Sequence, residues 1–146
     1  MKKNLIATLL FTLCLNLSAQ DTKEAVKEVI LSAYVNGIHN GGPIKDIKKG
    51  FHEDFIMHAM ADNGVNEITI QSWLENIEKS RNRPGYDPSA RPKSTAEFTN
   101  VSVNGNSAIA ELNLIRNGKK VFTDYLALYK FNEGWKIVSK TFYRWP

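Results

Sequence analysis

The residues best placed to do chemistry lie in the last two strand-like segments, 121–131 and 135–143. Reading Asn132-Glu133-Gly134 as a three-residue loop sets Phe131 opposite Trp135 and Asp124 opposite Phe142. Asp124, Leu126, Leu128, Val138, Lys140 and Phe142 then share one face, with Lys140 diagonal to Asp124 and Lys130 and Lys136 further along. Aliphatic side chains around a few fixed polar groups are the composition of a pocket wall. A carboxylate beside an ammonium in such a wall is held ionised and can orient a polar ligand edge; the plainer reading is a structural ion pair. The preceding hairpin sharpens the question. A two-residue turn at Asn117-Gly118 sets Glu111 opposite Asp124, two carboxylates that repel, whereas a four-residue turn sets Asn113 there.

His39, His52 and His58 are the only histidines. His52-Glu53-Asp54 near His58 raises a metal site, which needs several ligands converging on one point. On a fully extended strand His52 and His58 stand roughly 20 Å apart, so no metal is expected. The plainer reading puts one histidine in a pocket wall and the others at the surface. No Gly-rich phosphate loop, serine nucleophile motif or dinucleotide fingerprint occurs. No catalytic residue is assigned on these grounds, and the sequence names no cofactor.

The elements that must position these groups begin after residue 20. Lys2 and Lys3, the apolar stretch Leu5–Leu15 and the small residues Ser18-Ala19 have the order of a secretory signal peptide, residues 1–20. Cleavage after Ala19 or Gln20 would leave one mature domain, 21–146, periplasmic or secreted, with no stable membrane span. Cys14, the only cysteine, falls inside the signal, so the mature chain can form neither a disulfide nor a thiolate metal site. Without Lys2 and Lys3 the balance is 17 basic to 15 acidic side chains, too even to argue for nucleic acid as a partner. The local excess Lys79, Arg81, Arg83, Arg91 and Lys93 sits in a Pro/Gly-rich loop and reads as solvated.

Val26, Ile30, Ala33, Tyr34 and Ile38 recur at helical spacing, which predicts a helix over 21–39, ended by Asn40-Gly41-Gly42-Pro43. A short helix at 44–49, a strand at 51–60, a turn at Asn63-Gly64 and a helix at 69–79 carrying Trp73 and Ile77 follow. Four strands at 95–103, 107–115, 121–131 and 135–143, separated by turn residues, make a meander of hairpins. Helices first and antiparallel strands after is the order of an α+β domain.

Two passages carry a family resemblance. One is Tyr34-Val35-Asn36-Gly37 with Gly41, Phe51 and His52; the other is Asp124-Tyr125-Leu126-Ala127-Leu128 followed by Gly134-Trp135-Lys136-Ile137-Val138-Ser139-Lys140. With the element order, they resemble the nuclear transport factor 2-like superfamily, and within it the Putative lumazine-binding family of exported proteins. The resemblance implies a cystatin-like cone, N-terminal helices packed in a strongly bent, mainly antiparallel sheet, with a ligand pocket and a tendency to pair. It implies lumazine or flavin as ligands only through the family's name. The superfamily, with its SnoaL-like or ketosteroid-isomerase-like fold, includes ketosteroid-isomerase-like and dehydratase enzymes whose general base is an aspartate on the strand after the second helix. Ala59 stands at that position here, which argues against isomerase chemistry.

The leading expectation is a non-catalytic exported domain holding a small, flat, partly apolar molecule against Tyr34, His58, Trp73, Asp124, Leu126, Lys140 and Phe142. The alternatives are an isomerase, dehydratase or hydrolase using Asp124 or His58 as base, and a structural or protein-binding module. Tyr125, Tyr129, Trp135 and Ile137 fall on the opposite face of the last hairpin, an apolar patch that predicts a homodimer.

Overall fold

The computed structural model describes residues 22–146. The expected signal peptide, 1–20, lies outside the described residues. The first helix, α1, covers 22–39; it starts as an α-helix and winds as a π-helix over Ile30–His39. Asn40 closes it by donating its N–H to the Val35 carbonyl at 3.0 Å, the i→i+5 spacing of a π turn. Val26, Ile30, Ala33 and Tyr34 are buried, as their spacing predicts. Gly41, at φ +73°, turns the chain towards α2 (Ile44–Gly50). The two helices cross closely, because a β-carbon on Gly50 would collide with the Ala33 side chain.

Strands β1 (Phe51–Ala61) and β2 (Gly64–Thr69) form a hairpin leading into α3 (Ile70–Arg81). Thr69 caps α3 by accepting the Ser72 N–H on Oγ1 at 3.2 Å. After a 3₁₀ turn at Pro88–Ala90 come β3 (Ser94–Asn104), β4 (Ser107–Arg116), β5 (Lys119–Phe131) and β6 (Gly134–Arg144). The strands form one six-stranded sheet in the order β2-β1-β6-β5-β4-β3. All pairs are antiparallel except β1 with β6. The helices pack against this curved sheet, and the core lies between them, so the α+β cystatin-like architecture is as expected. The residue patterns did not mark β2 as a strand, nor the parallel joint that adds β1 and β2 to the meander. Among the described residues, no helix is long and apolar enough to cross a membrane.

Two β-bulges change what the strand alternation predicts. The β5–β6 turn has two residues rather than three: Gly134, at φ +118°, pairs with Phe131. The extra residue appears instead as a bulge between the pairs Leu128–Ile137 and Ala127–Ser139. Beyond the bulge Asp124 pairs with Phe142 and Leu126 with Lys140, the register inferred from the sequence. On the turn side of it the faces of β6 exchange. Trp135 and Ile137, expected in an outer dimer patch, are 5% and 0% exposed in the core, and Val138 leaves the inner wall. The β4–β5 turn does have two residues, but a bulge between the pairs Ile115–Lys120 and Leu114–Phe122 shifts the register by one. Leu112, neither Glu111 nor Asn113, therefore faces Asp124, and no carboxylate repulsion arises.

Candidate functional site

Lys140 on β6 and Asp124 on β5 meet on the helix-covered side of the sheet, Nζ to Oδ1 at 2.6 Å. Tyr34 on α1 donates its hydroxyl to the other oxygen, Oδ2, at 2.8 Å. Asp124 is 0% and Lys140 4% exposed. The ammonium sits 4.0 Å from the Phe142 ring centroid and 5.4 Å from that of Tyr34, and Met57 Sδ is 3.9 Å away. Burial draws the Lys140 pKa below the usual lysine value, against the opposing pull of Asp124. Burial, followed by the Asp124 charge and the hydrogen bond to it, holds Tyr34 well above the ordinary phenol value. Tyr34, Asp124, Leu126, Lys140 and Phe142 thus come together, but as a closed charge network packed in aromatic rings rather than as the wall of the cavity expected from the sequence. Both carboxylate oxygens are engaged, so Asp124 is poorly placed to act as a base.

The open space lies beside this network. A cavity of about 370 Å³ is bounded by α3, the end of α1 and the 82–93 loop. Trp73, Asn76, Ile77, Ser80 and Arg81 supply one wall. Their spacing places them along a single stripe of α3. His39, Tyr86, Arg91 and Arg116 contribute to the remaining walls. Trp73 is the only expected site residue on this lining. His39 is the partition between cavity and network: its ring stands edge-on to Tyr34 at 4.7 Å and lies 6.3 Å from Phe122. Its Nε2 is buried with no hydrogen-bond partner among the described residues. Burial first, then the charges of Lys140, Arg116 and Arg91, lower its pKa to about 3, so the ring is neutral.

Two of the arginines are anchored. Arg81 Nη2 donates to the Gly37 carbonyl at 3.2 Å, and Arg116 Nε donates to Ser94 Oγ at 3.1 Å. Ser94 is itself tied to the end of α1: its N–H donates to Asn40 Oδ1 at 2.7 Å, and Asn40 Nδ2 donates to its carbonyl at 2.9 Å.

His58 does not belong to either feature. Its neighbour Met57 is buried and pairs with Lys140, so the alternation of β1 turns His58 to the outer side of the sheet, where it pairs with Thr141 and approaches Glu67 Oε1 at 3.9 Å. It is withdrawn both as a pocket residue and as a candidate base. His52 stacks on Phe131 at 4.6 Å. Sequence reasoning missed His39, Tyr86, Arg81, Arg91 and Arg116. The basic excess around the 80–92 loop is the signal the sequence carries, although its composition alone reads as solvated.

Comparison with known proteins agrees with this architecture. A solved nuclear transport factor 2-like protein of unknown function from Shewanella baltica OS155 superposes with a TM-score of 0.65 at 23% identity, covering 84% of this chain and 93% of that one. Another, from Methylobacillus flagellatus KT, gives 0.62 at 21% identity over 86% and 94%. At these identities the likeness shows the fold. A curated relative, "Aldolase FrzH" from Cladobotryum sp, is 26% identical over 128 residues, 86% of this chain and 95% of the relative. The sequence profile of the family described as Putative lumazine-binding matches residues 21–143. With that match spanning nearly all of the described chain, the protein belongs to the Putative lumazine-binding family and has the fold of the nuclear transport factor 2-like proteins.

Proposed function

We propose that this is a non-catalytic, exported binding domain that takes a small, flat, partly apolar molecule into the cavity beside Trp73. The observation that carries the reading is the cavity itself: about 370 Å³, within the range of small-molecule sites, walled by Trp73, Ile77, Tyr86 and His39. Family membership supports a ligand of this size and shape, and a bicyclic ring such as lumazine fits a wall of this composition. The charge network supports the non-catalytic part, because its one carboxylate is fully engaged and fully buried. Export rests on the Lys2-Lys3 start, the apolar stretch after it and Ser18-Ala19. Pairing into a homodimer rests on Ile109, Tyr125, Tyr129 and Tyr143, which remain exposed on the outer sheet face.

Native mass spectrometry of protein purified from its own host tests the reading, together with a lumazine titration followed by Trp73 fluorescence. A co-purifying small molecule, or saturable quenching that Trp73→Leu abolishes, is the expected result. Protein that carries no ligand and answers no ring compound would end it.

A second reading, aldol-type chemistry, is favoured by the aldolase relative and by a buried lysine of lowered pKa. It needs Lys140 exposed to a carbonyl substrate, whereas the amine is paired with Asp124 and enclosed. Borohydride reduction in the presence of small aldehydes and ketones separates the two, since a covalent adduct at Lys140 would favour the enzyme.

A further inference from the structure

The cavity lining contains three arginines and no carboxylate: Arg81, Arg91 and Arg116 all border it. Arg81 and Arg116 are held by neutral acceptors, the Gly37 carbonyl and the Ser94 hydroxyl, which position the guanidiniums without neutralising them. Among the described residues none of the three forms an ion pair. Three like charges around one concavity repel, and an anion is what relieves them. A guanidinium presents its N–H donors as a planar fork, which matches a carboxylate or another planar oxyanion edge. His39 supports the same reading. It also borders this cavity, and its Nε2 is buried with no hydrogen-bond partner among the described residues, so a neutral imidazole protonated there has one donor still to place. Trp73 and Ile77 line the α3 side and accept an apolar ring.

We infer that the ligand of this cavity is a flat ring compound bearing a planar oxyanion, its charged edge held by Arg81, Arg91 and Arg116 with His39 beside them and its ring against Trp73. The inference rests on the binding reading above and names the chemical class of its ligand. An aromatic carboxylate is the simplest member; a ring imide or enol that has lost its proton offers the same edge. The basic loop thereby gains a purpose that its composition did not disclose: it carries Arg91 to the cavity rim, while Arg81 closes the end of the α3 stripe.

The test is a calorimetric titration of the full described chain with 2-naphthoate and with 2-naphthamide, which share a shape and differ in charge. Wild-type protein is expected to prefer naphthoate by about tenfold or more. Arg91→Gln should shrink that preference several-fold, and so should His39→Phe, which keeps a ring against Tyr34 and Phe122. Lys119→Gln, which removes one positive charge outside the cavity, should leave it unchanged. Equal affinity for the two probes would overturn the oxyanion class while leaving the flat-ligand reading standing. A preference that survives Arg91→Gln, or falls equally with Lys119→Gln, would also overturn it by reducing the effect to net charge. Binding of neither probe would overturn this inference and the binding reading together.

Discussion

Asp124 has two partners and no solvent, so its stability contribution is asymmetric: removing a partner leaves a buried charge, while removing the whole network need not. Lys140→Met is expected to destabilise the fold by about 3–5 kcal/mol in chemical denaturation. A double change that also makes Asp124→Leu should recover most of that loss, because no uncompensated charge remains. A single-variant loss below about 1 kcal/mol would mean that water reaches the pair. Tyr34→Phe should cost about 1.5–3 kcal/mol, the value of a hydrogen bond to a charged acceptor, with the ring packing kept. His39 adds a pH dependence of definite sign. Its folded pKa of about 3 lies below the ordinary 6.5, so the unfolded chain binds the proton first as pH falls. The positive charges of Lys140, Arg116 and Arg91 reinforce the effect. Stability should therefore be complete above about pH 6.5 and decline below it, by at most about 1.4 kcal/mol per pH unit for one proton. Denaturation midpoints at pH 7.5, 6.5 and 5.5 would show that slope, and His39→Phe should flatten it.

At the scale of elements, the two bulges divide what the sequence disclosed from what it concealed. Asp124, Lys140 and Phe142 lie where hairpin alternation places them, because the bulge near Val138 restores the register that an assumed three-residue loop had supplied. Trp135 and Ile137 lie between the turn and that bulge, so the same assumption put them on the wrong face. Alternation has a period of two, and one inserted residue inverts every side chain up to the next insertion. No residue type marks either bulge clearly, and the turn dipeptides alone cannot locate them. The cavity was illegible for a different reason. Its walls come from α1, α3, a loop and β4, and only tertiary packing makes neighbours of His39, Arg91 and Arg116. By contrast α1 and α3 were readable, since apolar periodicity and the chain breakers around Gly41 are local. The α1–α2 crossing yields a prediction on the same scale. Gly50→Ala would drive a methyl group into Ala33 Cβ, where no flexible side chain can yield. The helices must then separate, at a cost of about 1–3 kcal/mol. Thermal unfolding would measure this, and a neutral outcome would mean that α2 can shift without disturbing the core.

For the molecule as a whole, the decisive asymmetry is between the two sides of the sheet. The inner side is covered by the three helices, and the network and cavity lie there. The outer side keeps Ile109, Tyr125, Tyr129 and Tyr143, each about half exposed, with Tyr125 and Ile109 bordering a shallow depression of about 270 Å³. Losing Trp135 and Ile137 to the core makes this face smaller and more tyrosine-rich than the sequence implied. Tyrosine suits such a role, since its ring buries apolar area while its hydroxyl tolerates water at the rim. Pairing of two such faces would be self-complementary, as a two-fold dimer requires. The expected outcome in light scattering at micromolar concentration is a mass of two chains. Tyr129→Asp, which sets a carboxylate into each half of the joint, should return one chain without lowering the thermal midpoint of the isolated fold appreciably. Because the cavity opens on the other side of the sheet, ligand affinity should be the same in the variant. A wild-type protein that runs as a single chain at every concentration tested would leave these tyrosines as ordinary surface residues. In that case the binding domain works alone.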